Sequence, residues 1–141
     1  MQDTALCRND VKGKWLSDTI LPSYIRTVLY PCLGESEDFS KPKVMYPNMT
    51  KFMPFYYDER GFYQNYKSFM ITGTHVSYLA AFLNSSLFKF CFRDNFPELL
   101  GGTRELRKIF FDKIPVKKVS DSVNDTFRCK VNKIQSNYTK E

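Results

Sequence analysis

A chain of 141 residues suits one domain, and its 13 Phe and 9 Tyr supply a core despite a mean hydropathy of −0.41. No apolar run reaches the ~20 residues of a membrane-spanning helix, and no basic–apolar–small segment opens the chain. Four scattered cysteines (Cys7, Cys32, Cys91, Cys129) and the single His75 exclude zinc-site spacing. The net charge of +6 is concentrated: residues 101–141 hold ten Lys and Arg against five Asp and Glu, whereas residues 1–100 hold eleven against ten.

Residues 1–14 are polar and aperiodic. Ser17 or Asp18 can cap a short N-terminal helix carrying Ile20, Leu21, Tyr24, Ile25, Val28 and Leu29, with Pro22 in its first turn and Pro31 as its stop. An acidic loop from Gly34 to Ser40 leads through Lys41-Pro42-Lys43 to a short strand at Val44-Met45-Tyr46. Lys51 to Tyr57 reads as a strand placed at an edge or a bulge by Pro54. Asp58-Glu59-Arg60-Gly61 is a turn of hairpin length, and Phe62-Tyr63 resumes the strand pattern. Phe69 to Thr72 is a further strand that meets a corner at Gly73.

Beyond that corner, Val76, Leu79, Ala80, Leu83, Leu87 and Phe90 recur at three- and four-residue steps, which predicts one long helix over about 75–92. Thr72 and Thr74 are candidate caps, and Phe82, Phe88 and Phe92 fall off the stripe. Leu99 to Thr103 is a loop, Ile109 to Val116 a strand or extended packing segment, and residues 119–141 a basic tail, helical or disordered. The four N-x-S/T sequons, at Asn48, Asn84, Asn124 and Asn137, are expected chance matches in a cytoplasmic protein. The expected class is therefore α+β: a small, mainly antiparallel sheet of short strands packed against a long helix, with an N-terminal helix and a basic C-terminal tail.

Catalytic signatures are absent. There is no G-x-S-x-G, no phosphate-binding glycine loop and no dinucleotide fingerprint, and Gly101-Gly102 is too short to cradle a cofactor. No catalytic residue, metal ligand or cofactor is assigned to the chain; an Asp94, Glu105 and Arg107 nuclease-like set can be written, but many basic proteins match it. Binding chemistry is better represented. Lys41, Lys43, Lys51 and Arg60 alternate with Tyr56, Tyr57 and other tyrosines around the expected hairpin, and Arg104, Arg107 and Lys108 follow the Gly-Gly-Thr loop. Cations neutralise phosphates, tyrosines bond phosphates or stack on bases, and paired Arg donors read guanine. The same residues also fit a core of aromatic cross-strand pairs with lysines guarding sheet edges.

Five segments, in order, carry a resemblance. Glu37 to Pro47 contains Lys41-Pro42-Lys43-Val44-Met45-Tyr46-Pro47; Phe55 to Tyr63 contains Asp58-Glu59-Arg60-Gly61; Phe69-Met70-Ile71-Thr72-Gly73 follows. Tyr78 to Phe88 and Gly101 to Arg107, running on to Phe111-Asp112-Lys113-Ile114-Pro115, complete the set. This pattern resembles the TaqI-like C-terminal specificity domain of type II restriction–modification enzymes and adenine-specific DNA methyltransferases, over about residues 35–118.

The resemblance implies a target-recognition domain at 35–118, flanked by an N-terminal segment at 1–34 and the tail at 119–141. It implies duplex DNA as the partner, read for adenine-N6 methylation and cleavage by a catalytic domain of the same polypeptide. S-adenosylmethionine and magnesium would belong to that catalytic part, whose Asn-Pro-Pro-Tyr/Phe motif does not occur here. The contact residues expected on this reading are Lys41, Lys43, Lys51, Tyr56, Tyr57, Arg60, Arg104, Arg107 and Lys108. Two other readings remain open from sequence: a protein-interaction module docking on a catalytic subunit, and a small nuclease.

Overall fold

The computed structural model describes residues 25–29 as backbone and residues 39–64 and 67–138 in full. Most of the expected N-terminal helix and acidic loop, together with Cys7, Cys32 and the end of the tail, lies outside the described residues. Ile25–Leu29 is a strand, β1, which corrects the expected helix there. Three of its five residues are β-branched, and it pairs antiparallel along its whole length with β5 (Ser68–Gly73), Ile25 facing Gly73 and Leu29 facing Phe69. That partner is some forty residues away, and a distant partner is what overrides a helix-like local spacing.

The remaining strands are β2 (Lys43–Pro47), β3 (Met49–Thr50), β4 (Tyr56–Asp58) and β6 (Arg104–Glu105). They form a four-stranded antiparallel sheet in the order β1-β5-β2-β4 and a two-stranded ladder of β3 with β6. Strand period assigns the faces. Val44, Tyr46, Tyr57, Phe69 and Ile71 point to one side and join the main core, while Lys43, Asp58, Met70 and Thr72 are buried on the other. Residues 51–55 and 62–63 are not strands, so the expected hairpin is instead one short edge strand followed by a loop.

The long helix expected at 75–92 is two helices, α1 (Val76–Leu83) and α2 (Ser86–Asn95). At the break, Asn84 donates its side-chain amide to the Phe55 and Ala80 carbonyls (2.8 and 2.9 Å). Ser85 takes extended backbone (φ −78°, ψ 159°), and its hydroxyl caps α2 by accepting from the Phe88 N–H. The break resets the helical phase. Val76, Leu79, Ala80 and Leu83 are buried as the periodicity predicts, but the stripe then continues through Phe88, Phe92 and Phe96 rather than Leu87 and Phe90. Leu87 and Phe90 stand 64% and 68% exposed.

The displaced stripe builds an aromatic core. Phe88 stacks on Phe111 (centroids 6.1 Å apart, planes 10° apart) and meets Phe55 edge-on at 5.5 Å, and Phe96 meets Phe111 edge-on at 4.9 Å. Phe111 reaches this cluster from a single helical turn, α3 (Lys108–Phe111), where a strand or extended packing segment was expected. Asp121–Tyr138 forms the longest helix, α4, and it packs along α1 with Tyr78 edge-on to Phe127 at 5.1 Å. Asp121 lies in its first turn, where the helix dipole favours an acid.

Candidate nucleic-acid interface

The loop after β4 is organised by one buried carboxylate. Asp58 lies opposite Lys43 in the β2–β4 register, and Lys43 Nζ donates to Asp58 Oδ2 (2.5 Å) and to the Phe39 carbonyl (2.6 Å), with both charged side chains at 0% exposure. The same carboxylate accepts the Arg60 and Phe62 backbone N–H groups, both at 2.9 Å, an Asx-type turn that Gly61 completes at φ +83°. Burial alone would raise the Asp58 pKa. The bonds from Lys43, Arg60 N and Phe62 N outweigh that and hold it below the ordinary carboxylate value. The result is a fixed loop presenting Arg60, whose guanidinium is exposed and bonds to no other side chain among the described residues.

The second wall of this site comes from α4. Gln135 accepts the Tyr57 N–H (2.9 Å) and donates to the Tyr57 carbonyl (2.8 Å), so one side-chain amide closes the outer edge of β4 as a neighbouring strand would. Glu59 is held by Arg128 Nε (2.8 Å), Asn132 (2.9 Å) and the Tyr57 hydroxyl (3.2 Å). Burial raises the Glu59 pKa, but these donors together bring it below the usual range, and burial with Glu59 alongside pushes the Tyr57 phenol up to about 12. At the other end of the helix, Asn124 Oδ1 accepts from the Ser77 hydroxyl (2.7 Å) and the Tyr78 N–H (3.1 Å), capping α1 from outside. Thr72 and Thr74, the expected caps, do not do this; His75 leads into the helix with left-handed backbone (φ 54°), and its Nε2 meets Asp121 at 2.8 Å. Between the Asp58–Gly61 loop and α4 lies a half-open cleft of about 530 Å³.

The nine predicted contact residues divide by environment. Lys41 is exposed just before β2, and Tyr56 is 39% exposed, whereas its neighbour Tyr57 points to the opposite face at 3%. Lys43 has no exposed surface for a phosphate to reach and instead ties the loop from inside. The β3–β6 ladder, Thr50 opposite Arg104, brings Lys51 to the Gly101-Gly102 turn, where a Cβ on Gly101 would stand 3.8 Å from Lys51 Nζ. Arg104 is a structural clamp: it donates to the Phe96 carbonyl (2.5 Å) and Glu98 (3.1 Å), with its guanidinium 5.8 Å from the centre of the Phe92 ring. Arg107 pairs with Glu105 at 2.9 Å and Lys108 with Asp112 at 2.8 Å. Lys51 keeps an exposed ammonium with no partner among the described residues.

Sequence reasoning missed the α4 residues Asn124, Arg128, Asn132 and Gln135. Their spacing of four, four and three was the available signal, a polar stripe beside Phe127 and Val131. Val123 and Ile134, on the same helix, are exposed.

No curated protein matches the chain. The family model of the TaqI-like C-terminal specificity domain matches residues 11–116, which takes in both glycine turns, the Lys43–Asp58 pair and the aromatic core, and ends before α4. With three quarters of its length matched, the chain belongs to the TaqI-like C-terminal specificity domain family, which implies a target-recognition role in a restriction–modification enzyme.

Proposed function

We propose that this domain binds duplex DNA and selects the target of a type II restriction–modification enzyme. Adenine-N6 methylation and cleavage are then performed by catalytic domains outside this chain, which would also hold S-adenosylmethionine and magnesium, and the enzyme works on cytoplasmic DNA. The observation carrying the proposal is Arg60. Family membership points to target recognition, and a buried carboxylate with three hydrogen-bond donors fixes the loop that presents this unpaired guanidinium. Rigid backbone under an exposed cation is what positioned phosphate or base contact requires. Lys41, Lys51, Tyr56, Arg107 and Lys108 complete the proposed surface, the last two by exchanging a carboxylate partner for a phosphate. Lys43, Tyr57 and Arg104 support it from beneath.

Titration of a labelled duplex with the 141-residue chain at several salt concentrations tests this. Affinity should fall linearly in log–log salt with a slope of roughly −0.9 per phosphate contacted. Salt-independent binding, or none at ~0.1 mM protein, rejects DNA as the partner.

A second surface favours docking on a catalytic domain. Leu87 and Phe90 lie three residues apart on α2 and expose most of their area. On this reading Leu87→Asp with Phe90→Asp leaves duplex binding unchanged and abolishes association with the methyltransferase part. Unchanged association removes α2 from that interface.

A further inference from the structure

We propose that the cleft between the Asp58–Gly61 loop and α4 seats a backbone phosphate of the bound duplex, with Arg60 and Lys133 as its two cations. This rests on the DNA-binding reading and extends it to a helix beyond the stretch that the family shares.

The cleft's two carboxylates are already satisfied: Asp58 by Lys43 and two backbone N–H groups, Glu59 by Arg128, Asn132 and the Tyr57 hydroxyl. Lys43 and Arg128, behind the lining, balance these two charges, and the cleft-lining Arg60 and Lys133 have no carboxylate partner among the described residues. The cleft therefore carries an excess of two positive charges. A lysine on an exposed helix face is ordinarily solvated. Lys133 differs in standing on a wall that is pinned in place, two residues before the Gln135 that closes the β4 edge and one after the Asn132 that holds Glu59. A phosphodiester supplies the missing negative charge and accepts from both cations, and the cleft is open on one side, as a seat for a continuous polyanion must be. The half-exposed Tyr56 ring lines the same cleft, where its hydroxyl can donate to a phosphate oxygen.

The test compares wild type, Arg60→Ala, Lys133→Ala and, as a control on an exposed lysine outside the cleft, Lys89→Ala. Each is titrated with one duplex over a salt series, and its melting temperature is measured. Arg60→Ala and Lys133→Ala should each weaken binding and make the salt slope shallower by roughly 0.9, with unchanged melting, while Lys89→Ala behaves as wild type. Loss at Arg60→Ala with wild-type affinity and slope for Lys133→Ala overturns the two-walled seat and leaves the DNA-binding reading standing. Absence of salt-dependent binding by the wild type overturns both.

Discussion

Removing the carboxylate of Asp58 should be among the most damaging single changes available in the described fold. In Asp58→Ala the Lys43 ammonium keeps the Phe39 carbonyl but loses its counter-charge, in a position with no solvent exposure. Breaking a buried ion pair by deleting one partner costs about 3–5 kcal/mol, because the surviving charge stays desolvated. The Arg60 and Phe62 N–H groups also lose their acceptor, but they are only part-buried and water can reach them, so they add less. A domain of this size has ~5–15 kcal/mol of stability in all, so the variant should be severely weakened. Lys43→Met alone should be destabilising as well, and the double variant Lys43→Met with Asp58→Ala should cost less than the sum of the two, since it leaves no orphaned charge. Urea unfolding of the four proteins supplies the cycle. A loss below ~1 kcal/mol for Asp58→Ala, or strict additivity, would refute the reading of a coupled, buried pair.

The acid limb of stability should follow the same residues. Asp58 and Glu59 both have folded pKa values below their ordinary ones, so each contributes stability that is present above the unfolded carboxylate value of about 4 and is lost as pH falls through the folded value. Melting temperature measured against pH should drop in that window, and the drop should shrink in Glu59→Gln. At the alkaline end the sign reverses: Tyr57, raised to about 12, contributes stability that is present below pH ~10 and disappears between 10 and 12, a loss that Tyr57→Phe should lack. Gln135→Ala should cost about 1–3 kcal/mol by unpairing the Tyr57 backbone, whereas Gln135→Glu, which still accepts the Tyr57 N–H but sets a carboxylate instead of a donor against the carbonyl, should recover only part of it. Phe88→Ala should cost about 3–5 kcal/mol and Phe90→Ala under ~0.5 kcal/mol in denaturant titrations; equal costs contradict the phase shift at Ser85.

Local chemistry was legible where it acted locally. The first half of the apolar stripe at 76–83, the glycine corner at Gly73 and the clustering of aromatics all appear in the structure as their spacing suggests. The helix break was also written in the chain. Asn84-Ser85 is a stop followed by a cap, but the apolar residues on both sides continue at helix-like intervals, so the one-residue slip from Leu87 to Phe88 was hidden. Strand β1 was not legible, because its stability comes from pairing with β5 and not from residues 25–29 themselves. The candidate site divides in the same way. A basic loop around Arg60 is visible in sequence, but the pairing that removes Lys43 from the surface and the clamp that occupies Arg104 depend on Asp58, Phe92, Phe96 and Glu98. The contribution of α4 needed the tertiary contacts of Gln135 and Glu59, since a polar helix has no strong apolar stripe to announce where it docks.

Target recognition is the central claim, and enrichment from a randomised duplex library tests it most directly. The chain is incubated with the library at physiological salt, and the bound fraction is sequenced over successive rounds. The account predicts convergence on one short shared motif, with affinity for it roughly 10³-fold or more above that for unrelated duplex. It also predicts that Arg60→Ala lowers this enrichment. Retention of duplexes with no common motif, at an affinity set by salt alone, would contradict it.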